Sequence, residues 1–191
     1  MNTRFAWLLP ALILVACAPE PEPARIHSYF NLEAFTQTQA TRLDSLRPWV
    51  EKKVRSENRT ETKRLRAINW QKELDLFAQA DLNKPAYRTS YTVVQPTAHS
   101  FEYRLKPGED VPVRYMKVAM DSRTGQLQSL EAEVVSENYL YHSRRLLTLQ
   151  CGPGPDGTWL VRSYHISGFQ QLAFFAQKPF EVSGKVVPGE G

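Results

Sequence analysis

More than half of this chain, residues 87–187, is a train of strand-like runs with no helical period among them, and that pattern leaves few folds open. Residues 87–94, 99–105, 113–121, 126–135, 139–150 and 158–166 are rich in Val, Tyr, Leu and Thr. Several alternate apolar with polar positions, as pleated, half-buried strands do. The separators are turn chemistry: Lys106-Pro107-Gly108-Glu109-Asp110, Asp121-Ser122-Arg123-Thr124-Gly125 and Pro155-Asp156-Gly157. Strands joined by short turns pair antiparallel, whereas parallel pairing needs a crossover of a dozen or more residues. Residues 169–175 are apolar enough for a further strand or a short buried piece, and 179–187 supply one last strand. The chain loosens into a tail from Lys185 and is free at 188–191.

Two amphipathic segments precede the train. Ser28 can cap a helix over residues 29–46, with Tyr29, Leu32, Phe35, Leu43 and Leu46 near one face, stopping before Pro48. Asn69 can cap a second over 70–83, in which Trp70, Leu74 and Phe77 fall at i, i+4 and i+7, ended by Lys84-Pro85. Between them, residues 49–68 are densely charged. Their two arms alternate well enough to form a solvated hairpin around residues 56–59, while their Glu, Lys and Arg content also suits a continuing helix. The fold class expected is α+β: two N-terminal helices packed on a strongly twisted antiparallel meander sheet, with a half-barrel as its curved limit.

The N-terminus carries an address. Residues 2–4 hold one positive charge, and residues 5–16 are apolar and end in small side chains, the pattern of a secretory signal. As a helix that apolar run spans about 18 Å, short of the roughly 30 Å hydrocarbon core. Leu14-Val15-Ala16-Cys17 resembles the bacterial lipobox, which implies cleavage between Ala16 and Cys17 and acylation of Cys17. The alternative is an ordinary signal with an incidental cysteine. Under the lipobox reading, residues 1–16 are the signal peptide and 17–27 the lipidated cysteine with a Pro/Glu tether. Residues 28–187 are one envelope domain. One acyl chain holds a protein only reversibly, so two or three would keep it on the membrane through N-terminal lipid. Ala18 stands where an aspartate would, by resemblance to the enterobacterial sorting rule, retain a lipoprotein in the inner membrane. The expected location is therefore the outer membrane, facing the periplasm, with export to the cell surface as the alternative that Glu20 and Glu22 faintly suggest.

Composition bounds the rest. Forty-two per cent hydrophobic residues is ample for one core. The formal charge of +4 is dispersed, and the envelope holds little nucleic acid, so no nucleic-acid partner is expected. With Cys17 acylated, Cys151 has no cysteine to pair with and reads as a structural thiol. His27, His99, His142 and His165 are scattered without ligand spacing, so no metal and no cofactor are expected. A thiol mechanism would need Cys151 beside His142 or His165. No other catalytic motif stands out, and Glu131 and Glu133 sit where a solvated strand face ordinarily carries carboxylates, so no enzyme is expected. The residual signal is aromatic and basic: Tyr139, Tyr141, Trp159 and Tyr164 with Arg144, Arg145 and Arg162, a candidate ligand or partner surface that could equally be cross-strand packing.

The order of lipid cysteine, short tether, YFNLEAF helix, charged TETKRLR segment, NWQKELDLFAQADLNKPAY and strand meander resembles small outer-membrane lipoproteins of Bacteroidetes-type bacteria. The most specific positions are Trp70, Glu73, Leu74, Phe77, Asp81, Asn83, Lys84, Pro85 and Tyr87. The resemblance implies compartment and architecture and no activity. The function expected is a non-catalytic binding or interaction module that meets another envelope protein or an apolar ligand. The alternative is a carrier holding lipid or another apolar ligand in a half-barrel cavity.

Overall fold

The computed structural model describes residues 29–57, 59–154 and 156–189, so Cys17, the tether, His27 and Ser28 lie outside the described residues. Asn31, not Ser28, caps α1 (Leu32–Leu46), accepting from the Ala34 backbone N–H at 3.0 Å. Tyr29 stays outside the helix and sets its ring edge-on against Tyr91 and Tyr103. The helix stops where Arg47 turns left-handed, φ 44°, ahead of Pro48.

The charged segment is a hairpin: β1 (Trp49–Ser56) and β2 (Arg59–Leu65) pair antiparallel. Asn69 then caps α2 (Trp70–Ala78), accepting from Lys72 N–H at 2.9 Å. This helix ends well before Pro85 because the next polar side chains redirect the backbone. Asp81 accepts from the N–H groups of Leu32 and Asn83, both at 2.9 Å, and the Asn83 amide donates to the Phe30 carbonyl at 3.2 Å. Pro85–Tyr87 forms one 3₁₀ turn, which delays the first strand of the train to Tyr91.

Seven strands follow: β3 (Tyr91–Thr97), β4 (Ser100–Leu105), β5 (Val113–Met120), β6 (Leu127–Asn138), β7 (Tyr141–Pro153), β8 (Trp159–Leu172) and β9 (Lys178–Val187). They make one antiparallel sheet of nine strands in the order β2-β1-β9-β8-β7-β6-β5-β4-β3. The train is the meander its turns predict. The early hairpin departs from expectation by joining it, since β1 pairs with β9 from Trp49↔Val187 to Ser56↔Phe180. Long-range pairing thus draws in a segment whose sequence reads as solvated. The same pairing takes Lys185 to Val187 into β9, and the Pro188 carbonyl accepts from Arg64, so the tail is held further than expected.

Registers sort the side chains cleanly. Val50, Tyr103, Met116, Leu130, Ala132, Leu147, Leu149, Tyr164 and Ile166 lie on one face and are buried with Leu32, Leu43, Trp70, Leu74 and Phe77 of the helices. Two polar clamps seat the helices there. Gln39 accepts from Val161 N–H at 2.9 Å and donates to the Trp159 carbonyl at 3.3 Å. Glu73 pairs with Lys52 at 2.5 Å and accepts from the Tyr164 hydroxyl. Gly184 lies beneath that tyrosine: a Cβ there would meet the ring at 2.4 Å. Among the described residues no helix is long and apolar enough to cross a membrane.

Candidate functional site

β6, β7 and β8 are the longest strands, at 12, 13 and 14 residues, and their turns project at one end of the sheet. The β6–β7 turn is Tyr139-Leu140, supported by Asn138, whose side chain accepts from Leu140 N–H at 2.9 Å. The β8–β9 turn begins Leu172-Ala173-Phe174-Phe175, closed by Phe175 N–H donating to the Leu172 carbonyl at 3.0 Å. A further bond, Ala173 N–H to the Leu140 carbonyl at 2.9 Å, ties the two turns into one tip.

The tip is apolar and wet. Tyr139 is 90% exposed, Leu140 60%, Leu172 56%, Phe174 99% and Phe175 65%. Phe174 occupies the third position of its turn at φ 69°, where glycine or asparagine is the usual residue. An aromatic side chain there strains the backbone by roughly 1–3 kcal/mol and points the ring into solvent. The strand or short buried piece expected at residues 169–175 divides: 169–172 are strand and continue β8, while Phe174 and Phe175 are exposed rather than buried. Below the tip, His142 meets Phe169 edge-on at 5.1 Å. At this end Lys178 pairs with Glu57, 3.4 Å apart, and Glu137 beside Asn138 is exposed.

The sheet face away from the helices is polar. A trough of about 310 Å³ runs over it between Ser100, Glu102, Lys117, Glu131, Thr148 and Gln150. Its charges are already matched. Glu102 accepts from Arg104 at 2.6 Å, a bond that holds its carboxyl below the usual range. Glu131 accepts from the Tyr115 hydroxyl at 2.8 Å and lies 3.5 Å from Lys117. Burial first, then the Glu131 carboxylate, pushes the Tyr115 phenol up to about 12. Glu133 takes Arg144 in the same way.

The structure does not gather the aromatic and basic residues singled out in the sequence. Tyr139 and the half-buried Tyr141 belong to the tip, and Arg144 faces Glu133 on the polar face. Arg145 points to the opposite face, in register with Val134 and Gly168. Tyr164 is buried against Phe77, with its ring centroid 6.3 Å away. Trp159 and Arg162 lie at the far end of β8, where the Trp159 indole donates to the Leu127 carbonyl at 2.7 Å. The 13 residues of β7 separate the two ends by roughly 40 Å. Neighbours along an antiparallel train thus become opposite ends of a sheet.

The Cys–His pair is likewise not formed. Cys151 pairs with Val161 and packs against the core, and burial pushes its thiol up to about 12, so it stays protonated at neutral pH. His165 sits beside Glu181 on the polar face and His142 lies near the tip. Among the described residues no three His, Cys, Asp or Glu side chains converge on a metal-sized site.

The sequence reading missed the tip itself, because the apolar Ala-Phe-Phe run carries no turn signal of its own. No family model, curated protein or solved structure matches this chain.

Proposed function

We propose that this protein is a lipid-anchored bacterial envelope protein, held in the outer membrane through Cys17, whose single α+β domain works as a non-catalytic docking module. The observation that carries the docking half is the tip. Five large apolar side chains stand in solvent on two turns joined by a hydrogen bond, one of them in a backbone conformation that favours glycine. A contiguous exposed apolar patch is the usual mark of an interaction surface. The anchoring half rests on the Leu14-Val15-Ala16-Cys17 motif.

The carrier version needs an apolar cavity between helices and a half-barrel sheet. That space holds Leu32, Leu43, Trp70, Leu74 and Phe77, each at most 2% exposed. The docking version is therefore the better supported.

Both halves are tested on full-length protein expressed in a bacterium and isolated from membranes. Intact mass equal to the chain from Cys17 plus acyl groups supports the anchor, and an unmodified mature mass overturns it. Cross-linking in cells with a reagent that captures lipid as well as protein should give products that the Tyr139→Ser, Phe174→Ser, Phe175→Ser triple variant loses. Identical products from both proteins would overturn docking through the tip.

A further inference from the structure

We infer that the partner of the tip is the bilayer itself. Tyr139, Phe174 and Phe175 enter the interfacial zone of the membrane that holds the acylated Cys17, fixing how the domain sits on the lipid. The inference deepens the docking reading and takes from it the anchor at Cys17, while the geometry of the tip stands independently of that anchor.

Area favours lipid over a second protein surface. At roughly 200 Å² per aromatic side chain, the exposed parts of these three rings amount to about 500 Å². A stable protein interface buries about 800 Å² on each partner, spread over 20–30 residues. These three rings alone fall short of that area, and the tip, two narrow turns at the ends of strands, is convex. Phe, Tyr and Leu on such a projection suit the headgroup boundary, where an amphipathic tyrosine keeps its hydroxyl wet.

Charge points the same way. Residues 139–141 and 172–177 contain no Lys, Arg, Asp or Glu, and the nearby Lys178 is paired with Glu57. Entering the interface with the two turns alone would desolvate no ion, the exposed Glu137 lying one residue below Asn138. Binding should then depend little on anionic lipid or on salt.

The anchor reaches. Twelve residue steps separate Cys17 from Tyr29, at most about 40 Å when extended. Tyr29 packs on Tyr91, whose hydroxyl donates to the Val113 carbonyl, and Val113 pairs with Val134. From Val134 to Asn138 at the tip is four residues of strand, roughly 13 Å. One membrane plane can therefore meet both the lipid on Cys17 and the tip. With the anchor in place, tip insertion is intramolecular, and a weak intrinsic affinity suffices.

The test uses the full-length chain with Phe174→Trp, and separately Tyr139→Trp on the other turn. Each is placed on phosphatidylcholine vesicles with or without bromine on the acyl chains, with intact mass taken on the same sample. Emission is read as the difference from the unsubstituted protein. The expected result is a blue-shifted difference spectrum that bromine cuts by about half, unchanged by added salt. Water-like, unquenched emission from acylated protein would overturn the insertion and leave the anchor standing. Loss of quenching together with cross-links between the tips of two copies would assign the tip to a second chain and also overturn it. Quenching in a protein whose mass shows no acyl group would uphold the tip while removing the anchor.

Discussion

Phe174 is an unusual place to keep a phenylalanine, and replacing it should leave the fold intact or improve it. The ring is 99% exposed, so of roughly 200 Å² it can bury only about 2 Å², worth about 0.05 kcal/mol. Against this, the left-handed backbone at φ 69° costs a non-glycine residue roughly 1–2 kcal/mol. Phe174→Gly removes that strain and gives up roughly 0.4–1 kcal/mol through the freer unfolded chain. The net expectation is a gain of about 0–1.6 kcal/mol. Phe174→Ala keeps the strain and loses no burial, so it should fall within about 0.5 kcal/mol of the unsubstituted protein. Phe174→Asn, which tolerates this backbone, should lie with glycine. Urea unfolding followed by circular dichroism, at unchanged m value, measures the order directly. A loss above about 1.5 kcal/mol in the alanine variant would mean the ring packs in the folded protein in solution, and the tip as described would not exist.

Three further outcomes follow from the packed face. Gln39→Ala leaves the Val161 N–H and the Trp159 carbonyl without their partner, at roughly 1–3 kcal/mol each, so urea unfolding should show a loss of about 2–6 kcal/mol. Gly184→Ala drives a methyl into the Tyr164 ring and should lower stability by about 1–3 kcal/mol, read as an earlier thermal midpoint. Stability should also fall as pH rises above about 9. The Cys151 thiol is raised to about 12 and the Tyr164 phenol is raised further, both chiefly by burial. The unfolded chain therefore releases these protons first and is favoured by roughly 1.4 kcal/mol per pH unit for each group. The sign runs one way, with the contribution complete below the unfolded values and lost as pH climbs toward the folded ones. Cys151→Ala should delay the onset of the decline from about pH 9 to about pH 10 in denaturation curves taken across this range.

The legible parts of the fold were the local ones. Asn69 announces α2, Trp70, Leu74 and Phe77 mark its buried stripe, and the Asp121 to Gly125 turn separates β5 from β6 as its residues dictate. The pairing of β1 with β9 was not legible, because the hairpin's alternating charges say only that its two arms match each other. Gln39 hid for a related reason. A polar helical residue reads as solvated until the Trp159 and Val161 backbone groups that it serves are in place. Phe174 and Phe175 deceived in the opposite sense, since an apolar run implies burial and nothing local says that the strand has ended. The aromatic and basic cluster failed on distance. Tyr139 and Trp159 are twenty positions apart in the chain, yet β7 holds their ends of the sheet apart.

The measurement that bears most directly on the account is photo-cross-linking in living cells from benzoylphenylalanine placed at Phe174, with the same probe at the exposed Ser122 in the β5–β6 turn, at the other end of the sheet, as its control. The account predicts adducts with membrane lipid or an envelope component from position 174 and none from position 122. Equal, adduct-free behaviour at the two sites would contradict it, because a tip that touches nothing in the envelope is not a docking element.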